Sequence, residues 1–176
     1  MTEGNKYSGS FSLTDDPKAF REWFVDDKII NEGNGEQLRR AVKYVKAWKD
    51  YKAVPLKGIE ITILVSNAFD KYDDRDDKSL CNTIQQIVND LTCKFECVKP
   101  VTPNEDLFED YSDSKRQKIM DELKSLYDAI SKAIKEDDEK TASLIMQDCF
   151  GDRFPIGKES EKTDYVSTPK PGVLHD

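Results

Sequence analysis

The 176-residue sequence predicts a mainly α domain, a bundle of about six helices with one short strand. Three observations carry that prediction. Apolar residues recur at three-and-four spacing through most of the chain, capping signals stand at segment ends, and only one stretch alternates as a strand would. Residues 1–14 are polar, contain Gly4 and Gly9, and read as an extended N-terminal segment. Asp16 before Pro17 is an N-cap followed by a first-turn proline, and Phe20, Trp23 and Phe24 continue a short helix over about 17–27. Asn31 to Gly35 (NEGNG) is a turn.

Glu36 to Lys52 (EQLRRAVKYVKAWKDYK) is the clearest helix, with Leu38, Ala41, Val42, Val45 and Trp48 on one face. Pro55 and Gly58 then introduce the apolar run Ile59 to Phe69. Its isoleucines permit a strand, but its length and setting favour a buried helix. After the acidic loop Asp70 to Asp77, Leu80, Ile84, Ile87, Val88 and Leu91 mark a further helix. Lys94 to Val101 alternates briefly as the short strand, and Pro100, Pro103 and Asn104 make the following link irregular. Ser112 or Ser114 caps the longest helix, striped by Ile119, Leu123, Leu126, Tyr127, Ile130 and Ile134 and broken at Asp137 and Asp138. A last helix carries Ala142, Leu144, Ile145, Cys149 and Phe150 and stops at Gly151. The domain body therefore spans 15–156, and 157–176 is expected to be a flexible tail.

Composition narrows the chemistry. Lys and Arg number 27 against 35 Asp and Glu, and a net charge of -8 argues against strong nucleic-acid binding or an anionic membrane surface. The one histidine, His175, lies in the tail, so the body holds no Ser-His-Asp or Cys-His machinery and no His-ligated metal. Four cysteines (Cys81, Cys93, Cys97, Cys149) are too few for a disulfide scaffold. Cys93 and Cys97 lack the two-residue spacing of redox or zinc-ribbon pairs, so reduced and mostly buried thiols are expected. The N-terminal residues show no signal-peptide pattern and no apolar run approaches the ~18 residues of a membrane span, so a cytoplasmic protein is expected.

The acidic loop is not a calcium loop. Counting from Asp70, the sixth position is Arg75 rather than glycine and the twelfth is Cys81 rather than glutamate. Gly9-Ser10 with Asp15-Asp16 matches a nucleotidyltransferase signature only superficially, because the acids come too soon and sit at a helix start. The basic helix is the better candidate. Residues 36–52 carry +4 while the rest of the chain carries -12, and Arg39, Lys43 and Lys46 share one helical face. Beside Tyr44 and Tyr51, these cations can clamp phosphates and stack a base. The same spacing also suits a solvated face that compensates an acidic protein.

Four segments in order carry a resemblance: TDDPKAFREWF (14–24), LRRAVKYVKAWKDYK (38–52), KPVTPNEDL (99–107) and FGDRFP (150–155). Over roughly residues 7–156 the chain resembles the C-terminal half of the bacterial cGAS/DncV-like nucleotidyltransferases, cyclic-oligonucleotide synthases of anti-phage signalling. The resemblance implies a helical domain like the substrate-binding domain of oligoadenylate synthases, closing over nucleotide held by an N-terminal core. It implies that Lys46, in the Lys-x-Trp motif, reaches the triphosphate of ATP or GTP. Arg39 and Lys43 would give electrostatic support. Lys57 stands near where relatives have a phosphate-binding serine after the proline. Metal-binding acids, and with them magnesium or manganese, belong to the core, so no cofactor is expected on this chain alone. The sequence starts beyond the region matching those acids, which implies a fragment, a split subunit or the product of a decayed gene, inactive without a core in cis or in trans. The alternative is a non-enzymatic helical module or decoy that binds a core or partner. Relatives can be tethered through their C-termini, but Leu174-His175-Asp176 lacks the small-residue ending expected for that.

Overall fold

Helix formation starts where the capping signals stand. In the computed structural model, which describes residues 16–158, Asp16 Oδ1 accepts the N–H of Lys18 at 2.9 Å and opens α1 (Pro17–Glu22). The segment expected over 1–14 and the tail beyond 158 lie outside the described residues. α1 does not stop near residue 27. It runs on as π-helical turns over Trp23–Asn31, where Glu32 N–H reaches back to Asp27 C=O at 3.0 Å. Gly33 (φ +67°) and Gly35 (φ +60°) then take left-handed backbone, which residues with a Cβ rarely adopt, and the chain turns.

The other helices are α2 (Gly35–Tyr51), α3 (Gly58–Ala68), α4 (Asp76–Cys93), α5 (Asp113–Lys135) and α6 (Glu139–Phe150). Ser112 caps α5 through Lys115 N–H at 3.2 Å, and Asp138 caps α6 through Thr141 N–H at 2.9 Å. Gly151 (φ +88°) ends α6. A Cβ there would lie 3.0 Å from Tyr51 Cδ2, so both the backbone angle and the ring demand glycine.

The short strand expected over Lys94–Val101 is reduced, among the described residues, to one antiparallel bridge between Val98 and Asp106. Backbone chemistry explains the difference. Cys97 N–H is taken by the Asp106 carboxylate at 2.8 Å and Glu105 N–H by Pro103 C=O at 2.9 Å, so both donors that would extend the ladder are used elsewhere.

α2 is the hub. It packs against α3, α4, α6 and the π-helical segment, while α5 lies between α4 and α6. Its apolar stripe is accordingly all buried, with Leu38 and Trp48 at 0 % and 1 % exposure. Each such large side chain contributes roughly 1.5–3 kcal/mol by leaving water. Among the described residues no helix is long and apolar enough to cross a membrane.

The acidic loop is tied down by α2. Gln37 clasps Tyr72, donating to its carbonyl at 2.8 Å and accepting its N–H at 3.0 Å, and Arg40 forks onto both oxygens of Asp76 at 2.6 and 3.0 Å. The Arg40 hydrogen bonds hold the Asp76 carboxyl below its ordinary range, as those of Arg75 do for Asp77. A carboxylate whose pKa is depressed by folding adds stability above its unfolded value and loses it as pH falls through the folded value. Urea denaturation should therefore give a stability that declines below about pH 4, and Asp76→Asn should flatten that decline.

Candidate functional site

The hairpin from α2 into α3 places two lysines close together. After Tyr51 the chain reverses, with Val54 N–H bonded to Lys49 C=O at 2.9 Å, and Lys57 becomes the N-cap of α3. A lysine side chain has no oxygen to accept the first-turn N–H groups, so they lack the usual cap. The fully buried Glu60 steadies this end instead, accepting Lys57 N–H at 2.7 Å and the Tyr111 hydroxyl at 2.6 Å. Burial, and then the Glu60 carboxylate, push the Tyr111 hydroxyl well above its ordinary range, so it remains a donor.

A cleft of about 510 Å³ opens above this helix end. Lys46 enters it from α2, Lys57, Ile59 and Thr62 from α3, and Lys99, Val101 and Leu107 from the link after α4, while Asp16, Pro17 and Phe20 close it from α1. The half-buried Lys46 lies over the first residue of α3. A Cβ on Gly58 would sit 3.7 Å from Lys46 Cε and 3.9 Å from Nζ. Its ammonium thus stands at the positive end of a helix dipole, an arrangement completed by an anion. Among the described residues Lys46 and Lys57 form no ion pair with a carboxylate, and Asp16 is engaged as the α1 cap. Three lysines and one acid, Asp16, thus line the cleft, and of these lysines Lys99 is paired with Glu105.

Of the four cations singled out from sequence, the structure brings Lys46 and Lys57 together and leaves Arg39 and Lys43 off the cleft wall. Arg39 rests against the Phe24 ring (5.9 Å to its centroid), its Nε 3.1 Å from Glu36. Lys43 is exposed to solvent. Tyr44 and Tyr51 do not reach the cleft either. Tyr44 meets Phe150 edge-on at 6.4 Å and Tyr51 packs on Gly151, so the aromatic ring lining the cleft is Phe20. Neither tyrosine can stack a base there.

Lys99 is the site residue that sequence reasoning passed over. Its one signal was its place in the KPVTPNEDL segment. It is buried at 9 % exposure, with Nζ 3.0 Å from Glu105 Oε2.

Thiol chemistry does not compete for this region. Cys81, Cys97 and Cys149 are buried, and burial, with Glu60 and Asp106 nearby, pushes the Cys97 thiol up to about 12. Among the described residues no three His, Cys, Asp or Glu side chains come together as a metal-binding group.

The family described as cyclic GMP-AMP synthase, C-terminal domain, matches residues 35–161. Among solved structures the chain is similar to Vibrio cholerae DncV cyclic AMP-GMP synthase, solved in complex with the linear intermediate 5′ pppA(3′,5′)pG. The TM-score is 0.68 and the identity 22 %, over 82 % of this chain and 40 % of that one. The chain thus spans less than half the length of that synthase, and at this identity the likeness is one of fold.

Proposed function

Because the chain belongs to the family of cyclic GMP-AMP synthase C-terminal domains, we propose that it is the helical nucleotide-binding half of a cyclic-oligonucleotide synthase acting in cytoplasmic anti-phage signalling. The carrying observation is the convergence of Lys46, Lys57 and Lys99 on one cleft at the start of α3. The triphosphate of ATP or GTP lies against these lysines, and Phe20 and Ile59 give the same cleft an apolar wall for ribose or base. Arg39 and Lys43, off the wall, add only to the positive field of α2.

The reaction joins a ribose hydroxyl to the α-phosphate of a nucleoside triphosphate. A P–O bond forms at that phosphorus, the bond to the β-phosphate oxygen breaks, and pyrophosphate leaves. Negative charge grows on the departing oxygens, where fixed cations are most effective. Lys46 and Lys57 hold that part of the donor, and the half-burial of Lys46 on the packed α2 limits how far its ammonium reorganises as charge moves. Magnesium or manganese would activate the hydroxyl in a nucleotidyltransferase core.

The test is mixing. The chain combined with a separately expressed nucleotidyltransferase core of the same family, ATP and GTP is expected to yield a cyclic or linear oligonucleotide, and the chain alone none. Product from the 176 residues alone would overturn the division of labour. Inhibition of an intact synthase without complementation of a core would favour a decoy.

A further inference from the structure

Lys99 and Glu105 stand on the two arms of the turn that closes the cleft, and their pairing is lopsided. The Lys99 side chain is 11 % exposed, that of Glu105 is 55 % exposed, and the two meet at 3.0 Å. Lys99 is also held from behind. Its N–H bonds Glu105 C=O at 2.8 Å, and its own C=O accepts Asn104 Nδ2 at 2.9 Å. An ammonium taken this far out of water needs a negative partner at all times. Glu105 supplies one but does not itself line the cleft, whereas Lys99 does.

We propose that Lys99 is a third phosphate-binding cation and that Glu105 is its internal counter-anion, which holds it while the cleft is empty and gives it up to an arriving polyphosphate. The exchange is physically easy in one direction only. Glu105, already half in water, returns to solvent at little cost, because its carboxylate is rehydrated as it leaves. Lys99, anchored through its backbone, stays on the cleft wall and meets a ligand bearing several charges in place of the Glu105 carboxylate. Glu105 thereby competes with the ligand and lowers its apparent affinity.

This inference rests on the cleft being a triphosphate site, and titration of the full chain with inorganic tripolyphosphate and with ATP separates the two claims. Lys99→Met should weaken tripolyphosphate binding about tenfold, the loss of one charge-assisted contact. Glu105→Gln should tighten it about threefold or more by removing a competing charge. In the double variant the tightening should vanish. Opposite signs are the diagnostic, because a merely structural role for the pair would weaken binding in both variants. If both variants weaken binding, or neither changes it while Lys46→Ala abolishes it, the counter-anion role is wrong and the cleft assignment stands. If the wild-type chain binds no tripolyphosphate, the cleft assignment fails and takes this inference with it. Should Lys99→Met not fold, as judged by circular dichroism, the exposed Glu105→Gln alone still decides the sign.

Discussion

Lys46→Ala is expected to lower kcat/KM for the donor nucleotide by about a hundredfold in a reconstituted synthase, the scale set by losing one preorganised cation from a site of developing charge. Lys46 is half-buried on the hub helix, over the opening turn of α3, with no carboxylate among the described residues to neutralise it. Under the proposed function its charge is therefore available to the phosphates of a donor. The stem is only half-buried, so stability should change by no more than about 1 kcal/mol. Steady-state kinetics beside thermal denaturation separates the two effects. Unchanged kinetics would remove Lys46 from the site, and a large loss of stability would reassign it as a packing residue. Lys46→Arg should recover only part of the activity, because a planar fork does not occupy the place of a compact ammonium.

Trp48→Ala should cost about 3–5 kcal/mol, the penalty for emptying the space of a large buried aromatic. The residue is 1 % exposed and sits in the stripe through which α2 meets the rest of the bundle. Net stabilities are only about 5–15 kcal/mol, so the variant should be close to unfolding at physiological temperature. Chemical denaturation with the full chain measures this. A loss below about 1 kcal/mol would mean that the bundle closes over the gap and that Trp48 is not an anchor. Trp48→Phe, which keeps much of the volume, should weaken phosphate binding less than it weakens the fold.

Much of this was legible in the chain itself. The stripe Leu38, Ala41, Val42, Val45 and Trp48 read directly as the buried face of α2, because a 3.6-residue period leaves each position a known direction. Asp16-Pro17, Ser112 and Gly151 read as helix ends because each answers a local backbone demand, and each does so in the fold. Lys46 and Lys57 were named from the resemblance, and they come to line one cleft.

What was not legible lay across helices rather than along them. Arg39 and Lys43 share a helical face with Lys46, yet periodicity does not say which neighbour that face meets, and Phe24 and Glu36 claim Arg39. Tyr44 and Tyr51 looked available for stacking until α6 and Gly151 packed against them. The strand failed because one carboxylate, Asp106, captured an N–H that a ladder would have used.

The sequence by itself determined the class of fold, most helix limits and the segregated charge of α2, since all three depend on interactions within a few residues. Only the tertiary structure decided which cations share a cleft. It brought Lys99 from a distant loop to Lys46 and Lys57, supplied Glu105 as its partner and turned Arg39 and Lys43 away. Local periodicity fixes a direction for each side chain, but a binding site is a meeting of directions, and that is settled by how the helices pack.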